Sequence, residues 1–298
     1  MNASSVKRIG VIGAGQMGRG IAQVAAAAGI EVVLCDASLE IADKGKSLIG
    51  SILGKLVEKG KLSADDHRAL LDRIVPAGSM TAFSSVELAV EAATENVDIK
   101  LDLFCKADAA LAPGAILASN TSSISITRLA AATSRPERVI GMHFMNPVPL
   151  MKLVEIVRGV QTSPETYALV HELSVRLGKT VITSEDRPGF LVNRMLIPFL
   201  NEACFTLQEG VGSPEDIDTG AKLGLNHPMG PLELADLIGL DTVLAIAEVL
   251  HKDLGEDKYR PAALLRNLVA AGWLGKKSGR GFYVYDEKGQ KTKSSLAR

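Results

Sequence analysis

The stretch RIGVIGAGQMGRGIAQVAAAAGIEVVLCD, residues 8–36, carries a complete strand–turn–helix–strand unit. RIGVIG (8–13) is a short apolar run that stops in glycine, the composition of a strand covered on both faces. QMGRGIAQVAAAA (16–28) is rich in alanine, the strongest helix former, and Gly29 ends it. EVVLCD (31–36) is a second apolar strand. The turn between the first strand and the helix, GAGQMG (13–18), fits GxGxxG. Alone that match is weak, because glycine turns are common. Here it follows a strand, opens a helix and has Asp36 at the end of the next strand, which is the whole context of a dinucleotide-binding unit.

Each position has a physical role in that reading. Gly13 permits the tight turn, Gly15 lets the backbone approach a pyrophosphate, and Gly18 lets the helix pack on the strand. Ala14, Gln16 and Met17 complete the loop, and the helix N-terminus offers free N–H groups to an anion. Asp36 can accept hydrogen bonds from both hydroxyls of an adenosine ribose and would repel a 2′-phosphate. Ala37 and Ser38 follow it, with no arginine to receive that phosphate, so NAD is favoured over NADP. The competing reading is a ligand-free turn, with Asp36 as a helix cap, a role that Ser38 can fill instead.

Working outward, the alternation continues. Helical stretches are expected over 39–59, 64–71 and 96–111, and buried strands at 87–94, 115–120, 138–144 and in KLVEIV (152–157). Strands alternating with helices predict an α/β, Rossmann-type, doubly wound and mostly parallel sheet. After about residue 185 the pattern becomes helical. Pro188 suits a helix start, and GFLVNRMLIPFLNEACFTLQEG (189–210) runs on at helical spacing. Ser213 with Glu215 and Asp216 marks another start. GFYVYD (281–286) is the one strand pattern in this half, and the lysine-rich tail KGQKTKSSLAR (288–298) is expected to fray. The expected division is 1–185, a dinucleotide-binding domain with a helical arm at about 39–72, and 186–298, an all-helical domain.

Composition excludes several partners. The net charge is −1 and aromatics are 4%, so neither a basic nucleic-acid surface nor a base-stacking platform is expected. No apolar run reaches membrane-spanning length. Cys35, Cys105 and Cys204 are scattered and form no ligand cluster, which argues against a zinc site and for a reducing, cytoplasmic compartment.

GMHFMNPVPLMKLVEIVRG (141–159) puts one histidine and one glutamate into an apolar run. A nicotinamide reaction needs a group that changes protonation near neutral pH, and histidine is the usual one. His143 lies at the end of a strand, the edge where open α/β sheets bind ligands. NPVP (146–149) is turn chemistry. If the flanking strands fold back about Pro149, His143 and Glu155 face each other, each six residues away. A buried glutamate without such a partner would be costly. His67, His171, His227 and His251 lie in polar, helical or loop contexts and read as structural.

The chain resembles the short-chain L-3-hydroxyacyl-CoA dehydrogenases over nearly its full length. The resemblance is carried by GAGQMGRGIAQVAA, ASNTSSISIT, GMHFMNPVPLMKLVEIVRG, PGFLVNR, EDIDTGAKLGLNHPMGPLELADLIGLD and KYRPAALLRNLVAAGWLGKKSGRGFY. It implies oxidation of an (S)-3-hydroxyacyl-CoA thioester by NAD, with His143 as the base and Glu155 orienting it. Ser122 matches a serine on the substrate's 3-oxygen and Asn193 an asparagine that completes the polar site. Glu95, Lys100, Ser122, Asn146 and Lys277 match cofactor contacts. It also implies a homodimer through the C-terminal domain, and no metal. One departure is Phe144–Met145 where the family usually has two phenylalanines, which bears on acyl chain length rather than mechanism.

GKSLIGSILGKLVEKGKL (45–62) is amphipathic and lysine-bearing. Lysines on such a helix can hold phosphates as point charges. The resemblance places the coenzyme A tail near this arm, with Lys59 matching a contact and Lys55 close by. The usual neighbouring serine falls at Ile52, with Ser51 adjacent. The alternative of a different class is a non-catalytic dinucleotide-binding or structural protein on the same fold.

Overall fold

The computed structural model describes residues 3–296 and divides into two compact units, between Phe190 and Leu191. The first unit is built on β1 (Arg8–Ile12), β2 (Glu31–Cys35), β3 (Ile74–Ala77), β4 (Leu88–Glu91), β5 (Ile116–Ser119), β6 (Val139–Phe144), β7 (Leu153–Arg158) and β8 (Thr180–Glu185). They form one sheet in the order β3-β2-β1-β4-β5-β6-β7-β8. β6 and β7 pair antiparallel; every other neighbouring pair in this sheet is parallel. This is the doubly wound, mostly parallel sheet that the alternation predicts.

The connecting helices are α1 (Gln16–Ala27), α2 (Leu39–Glu58), α3 (Ala64–Asp72), α4 (Val97–Ala110), α5 (Ile126–Ala130) and α6 (Pro164–Arg176). Two apolar layers form because successive strand residues point to opposite faces. Ile9, Val11, Val90, Ala118 and Met142 pack with α1, α2 and α6 on one face. Ile12, Ala89, Leu117 and Val139 pack with Phe104 and Ala107 of α4 and Leu129 of α5 on the other. His143 and Glu155 share the parity of Val139 and Val157, so their side chains leave the sheet on the α4–α5 face.

Two edge strands lie outside the expected set. β3 contains Pro76, which weakens the strand signal and is tolerated at a sheet edge. β8 is the other edge and is largely uncovered, so it lacks a continuous apolar run. The segment beyond β8 stays with the first unit. Asp186 accepts from Ser125 Oγ at 2.7 Å and from the Ile126 and Thr127 amides at 3.0 and 2.8 Å, and Phe190 is buried in the second apolar layer.

The second unit contains α7 (Val192–Gln208), α8 (Pro214–Thr219), α9 (Pro231–Ile238), α10 (Leu240–Leu254) and α11 (Ala263–Ala270), joined by a π-helical turn at Gly220–Gly224. α7 starts four residues after Pro188, because Gly189 and Phe190 adopt left-handed φ values of 77° and 50°. Gly239, at φ 104°, separates α9 from α10. The tail is not simply frayed. β9 (Tyr283–Tyr285) pairs antiparallel with β10 (Lys291–Ser294), and Leu296 packs on the helical core. Residues 297–298 lie outside the described residues. This hairpin is anchored by Asp236, which accepts from the Phe282 and Tyr283 amides at 2.9 Å each and from Tyr285 Oη at 3.0 Å.

Candidate active site

The glycine turn is a closed structure. Gly13 has φ 102° and donates to Cys35 O at 2.8 Å, tying the end of β1 to the end of β2. A Cβ on Gly18 would stand 1.8 Å from Gly13 O, so only glycine allows this approach of helix to turn. Asp36 closes the loop from the other side: its Oδ2 accepts from Ala14 N at 2.6 Å and its Oδ1 from Ala37 N at 2.7 Å. Both oxygens keep further acceptor capacity. Gly15, the N-cap of α1, differs from Gly13 and Gly18: a Cβ there would meet nothing within 4 Å.

That open space belongs to a cavity of about 1090 Å³ lined by Gly13, Gly15, Gln16, Met17, Asp36 and Ala37. It extends past Ser79–Thr81 to Ile99, Leu103 and Lys106 on α4. A helix N-terminus over empty space, an acceptor carboxylate beside it and an apolar slot beyond suit a dinucleotide. Cys35 also lines the cavity; burial, with the neighbouring Asp36 charge, pushes its thiol up to about 11, so it is inert there. Gln16 Nε2 donates to Asn146 Oδ1 at 3.0 Å, which links this loop to the β6–β7 turn.

At the carboxyl edge of the sheet, polar side chains line up on the α4–α5 face. The register aligns Glu91 with Ser119, Ser119 with Gly141, and His143 with Glu155. Folding about Pro149 does bring His143 and Glu155 together: Nδ1 and Oε2 are 3.1 Å apart. Glu155 is fully buried and His143 is 7% exposed. A carboxylate that accepts the Nδ1 proton leaves Nε2 as the acceptor end of the ring. The Phe190 ring meets the imidazole edge-on, with centroids 6.0 Å apart. Asn120 Oδ1 accepts from Phe144 N at 2.9 Å and fixes the end of β6 to the end of β5.

Glu95 stands beside this row. Its Oε1 receives Thr121 Oγ1 at 2.6 Å, Ser122 N at 2.7 Å, Ser122 Oγ at 3.0 Å and Ser123 Oγ at 3.2 Å. Lys100 Nζ lies 3.4 Å from Glu95 Oε2. Partial burial opposes ionisation of Glu95, but the Lys100 charge and the bonds from Thr121 and Ser122 outweigh it and hold the carboxyl below its ordinary range. Lys100 itself is turned inward, at 1% exposure, against both oxygens of Glu91.

The expected coenzyme A contacts of the helical arm do not line the cavity. Ser51, Lys55 and Lys59 are exposed on or at the end of α2, outside the cavity lining, and Ser51 Oγ donates to Ser47 O at 3.1 Å. Exposed Ile41, Leu48 and Ile52 are spaced along α2 in line with Lys55 and Lys59. Asn193 sits in the first turn of α7, and Lys277 pairs with Asp241 at 2.6 Å, both in the second unit. Among the described residues no group of histidine, cysteine and acidic side chains could hold a metal, and no helix is long and apolar enough to cross a membrane.

Sequence reasoning missed Glu91, Ser119 and the Ser79–Thr81 wall. Glu91 carried a usable signal: like Glu155, it is an acid inside an apolar strand. The Ser79–Thr81 wall follows β3, whose proline hid the strand.

Two family models match the chain. One, described as the NAD binding domain of 3-hydroxyacyl-CoA dehydrogenase, covers residues 8–187; the other, its C-terminal domain, covers residues 189–285. A Deinococcus radiodurans protein named a probable 3-hydroxybutyryl-CoA dehydrogenase is 58% identical over 278 residues, 93% of this chain and 100% of that one. A Bradyrhizobium diazoefficiens protein named 3-hydroxybutyryl-CoA dehydrogenase is 53% identical, over 95% of this chain and 97% of its own length. The crystal structure of (S)-3-hydroxybutyryl-CoA dehydrogenase from Ralstonia eutropha superimposes with a TM-score of 0.92 at 52% identity, covering 95% of this chain and 100% of that one.

Proposed function

The chain belongs to the 3-hydroxyacyl-CoA dehydrogenase family of oxidoreductases, and from that premise we propose that it interconverts (S)-3-hydroxybutyryl-CoA and acetoacetyl-CoA with NAD as the redox partner. The observation that carries this reading is the His143–Glu155 pair, 3.1 Å apart at the sheet edge where ligands of such folds bind.

His143 Nε2 takes the proton of the 3-hydroxyl as the C3–H bond breaks, while Nδ1–H stays on Glu155. Glu155 holds the ring in that tautomer and stabilises the imidazolium that forms. In the reverse direction the imidazolium returns the proton to the 3-oxo group. The nicotinamide, when bound, supplies the acceptor for the hydride from C3. Ser122 Oγ orients the reacting oxygen, and Asn193 has the corresponding role in the resemblance. The N-terminus of α1 at Gly15 receives the pyrophosphate, Asp36 the adenosine ribose hydroxyls, and Glu95 and Asn146 the nicotinamide half. Lys55 and Lys59 on α2, with Ser51, hold the phosphates of coenzyme A, and the exposed apolar strip of that helix covers its pantetheine arm. A cytoplasmic homodimer working in fatty-acyl or butanoate metabolism goes with this reading.

The test follows NADH absorbance with acetoacetyl-CoA, free acetoacetate and longer 3-oxoacyl-CoAs, each repeated with NADPH. Turnover confined to the CoA esters and fastest with NADH is expected. Protein that binds NADH yet turns over no CoA ester would overturn the reading.

A further inference from the structure

We infer that Lys179 is a positioning residue for the reaction: from the start of β8 its ammonium holds the β6–β7 turn, and through that turn it keeps the His143 ring on Glu155. This rests on the reading of His143 as the base and goes beyond it, because Lys179 has no role there.

Lys179 immediately precedes β8 and is 8% exposed. Its Nζ donates to Val148 O at 2.6 Å and to Met151 O at 2.8 Å. Val148 and Met151 flank Pro149, one on the link back to His143 and the other on the link forward to Glu155. The turn holds itself in part, since Leu150 N and Met151 N both donate to Pro147 O at 3.0 Å. Its side chains add little. Leu150 and Met151 are exposed, and of residues 145–152 only Val148 is buried. Val148 packs against α1, where a Cβ on Gly20 would stand 2.7 Å from the Val148 Cβ. The turn is thus held on one side by one apolar contact and on the other by one ammonium.

The catalytic pair needs that hold. Asn120 ties β6 to β5 through Phe144 N, and a parallel ladder starting at Leu153–Thr180 ties β7 to β8. β6 and β7 meet in an antiparallel ladder that ends at Phe144–Val154, one step beyond His143–Glu155. A ladder opens most easily at its end, so the pair keeps its geometry only if the chain beyond it is held. Cost points the same way. Burial lowers the proton affinity of the Lys179 amine, and among the described residues no carboxylate offsets that burial. What the ammonium supplies instead is two charge-assisted hydrogen bonds, one to each half of the turn.

The experiment compares wild type, Lys179→Met, Glu155→Ala and the double variant. A cavity of about 400 Å³ lined by Pro149–Lys152 and Lys179 lets water reach the two carbonyls in Lys179→Met. Lys179→Gln, neutral and still a donor, takes its place if that variant does not fold. In the cofactor-free protein the Nδ1–H of His143 is followed by ¹⁵N-edited NMR, assigned by its loss in His143→Ala. Its exchange with water is expected to quicken about tenfold or more in Lys179→Met. With acetoacetyl-CoA and NADH, kcat is expected to fall roughly tenfold in Lys179→Met. The same change made in Glu155→Ala should cost less than about twofold, because the contact that Lys179 protects is already gone. A full loss in both backgrounds would mean that Lys179 acts elsewhere, and would overturn the inference. So would a lower melting temperature with neither the Nδ1–H exchange nor kcat moved, the mark of a merely structural lysine. Absence of turnover in the wild type would overturn the functional reading instead, and the exchange of the Nδ1–H still decides whether Lys179 holds the pair.

Discussion

His143 and Glu155 are direct partners across the β6–β7 pair, and Pro149 is the midpoint of the chain between them. The register fixes this relationship. A slip of one residue would send one side chain to the opposite face of the sheet. The pair thus depends on the turn as much as on the strands, and Lys179 Nζ secures that turn by donating to Val148 O at 2.6 Å and Met151 O at 2.8 Å.

Removing the imidazole tests the assignment of the base. His143→Ala is expected to lower kcat by about 10²–10⁴-fold and to leave the Kd for NADH unchanged. Glu155→Gln keeps an acceptor for Nδ1–H but removes the charge that stabilises the imidazolium. A loss of roughly 10–10³-fold is expected, smaller than for His143→Ala. Steady-state rates beside NADH fluorescence titrations check both; near-wild-type turnover in either variant would contradict the assigned role.

The glycines of the turn separate fold from ligand. Gly18→Ala drives a Cβ into Gly13 O, which stands 1.8 Å away, and should lower the melting temperature sharply. Gly15 has an ordinary φ of −67° and open space around it. Gly15→Ala should therefore change stability by no more than about 0.5 kcal/mol and still weaken NADH binding more than about tenfold, because its methyl occupies the pyrophosphate path. Equal losses of stability in the two variants would argue that the space at Gly15 is not a ligand site.

Asp36 carries structure and, in the proposed reading, cofactor choice. Asp36→Ala removes the acceptor for Ala14 N and Ala37 N, at a cost of about 1–3 kcal/mol. Paired with Ala37→Arg it also removes the repulsion of a 2′-phosphate and adds a partner for it. The ratio of kcat/KM with NADPH to that with NADH is expected to rise by at least roughly 10²-fold, and an unchanged ratio would rule out Asp36 as the selector.

What the sequence made legible follows from how local each signal is. The glycine turn, Asp36 and the symmetric spacing about Pro149 depend on residues within one or two elements, and their period alone places them. Edge strands β3 and β8 were not legible, because Pro76 and partial exposure erase the apolar run that marks a central strand. Glu91, Ser119 and Lys100 meet only after β4, β5 and α4 have packed, so spacing gives no hint of the cluster. The unexpected hairpin at 283–294 has a similar cause: Asp236 anchors it from a distance of 46–47 residues along the chain.

That anchor predicts opposite responses of the two units to acid. Burial raises Asp236 to about 6 from an ordinary value of 3.8, against the opposing hydrogen bonds from Tyr283, Phe282 and Tyr285, and burial also raises Asp218. Between about pH 4 and 6 the folded second unit then binds protons that the unfolded chain does not, so its stability falls as pH rises through about 6. In the first unit the balance is reversed. Bonds from Ser134 and Arg135 hold Asp108 below its ordinary range despite its burial, and Glu95 is held low as described, so stability there is lost as pH falls through those depressed values. Trp273, the single tryptophan, lies in the second unit and reports on it alone. Urea titrations read by its fluorescence should show the second unit gaining about 1 kcal/mol from pH 7 to pH 5. Asp236→Asn should flatten that slope, whatever it does to absolute stability. A tryptophan transition that weakens steadily with acid, with the same slope in Asp236→Asn, would show that the Asp236 carboxyl is not the group that titrates.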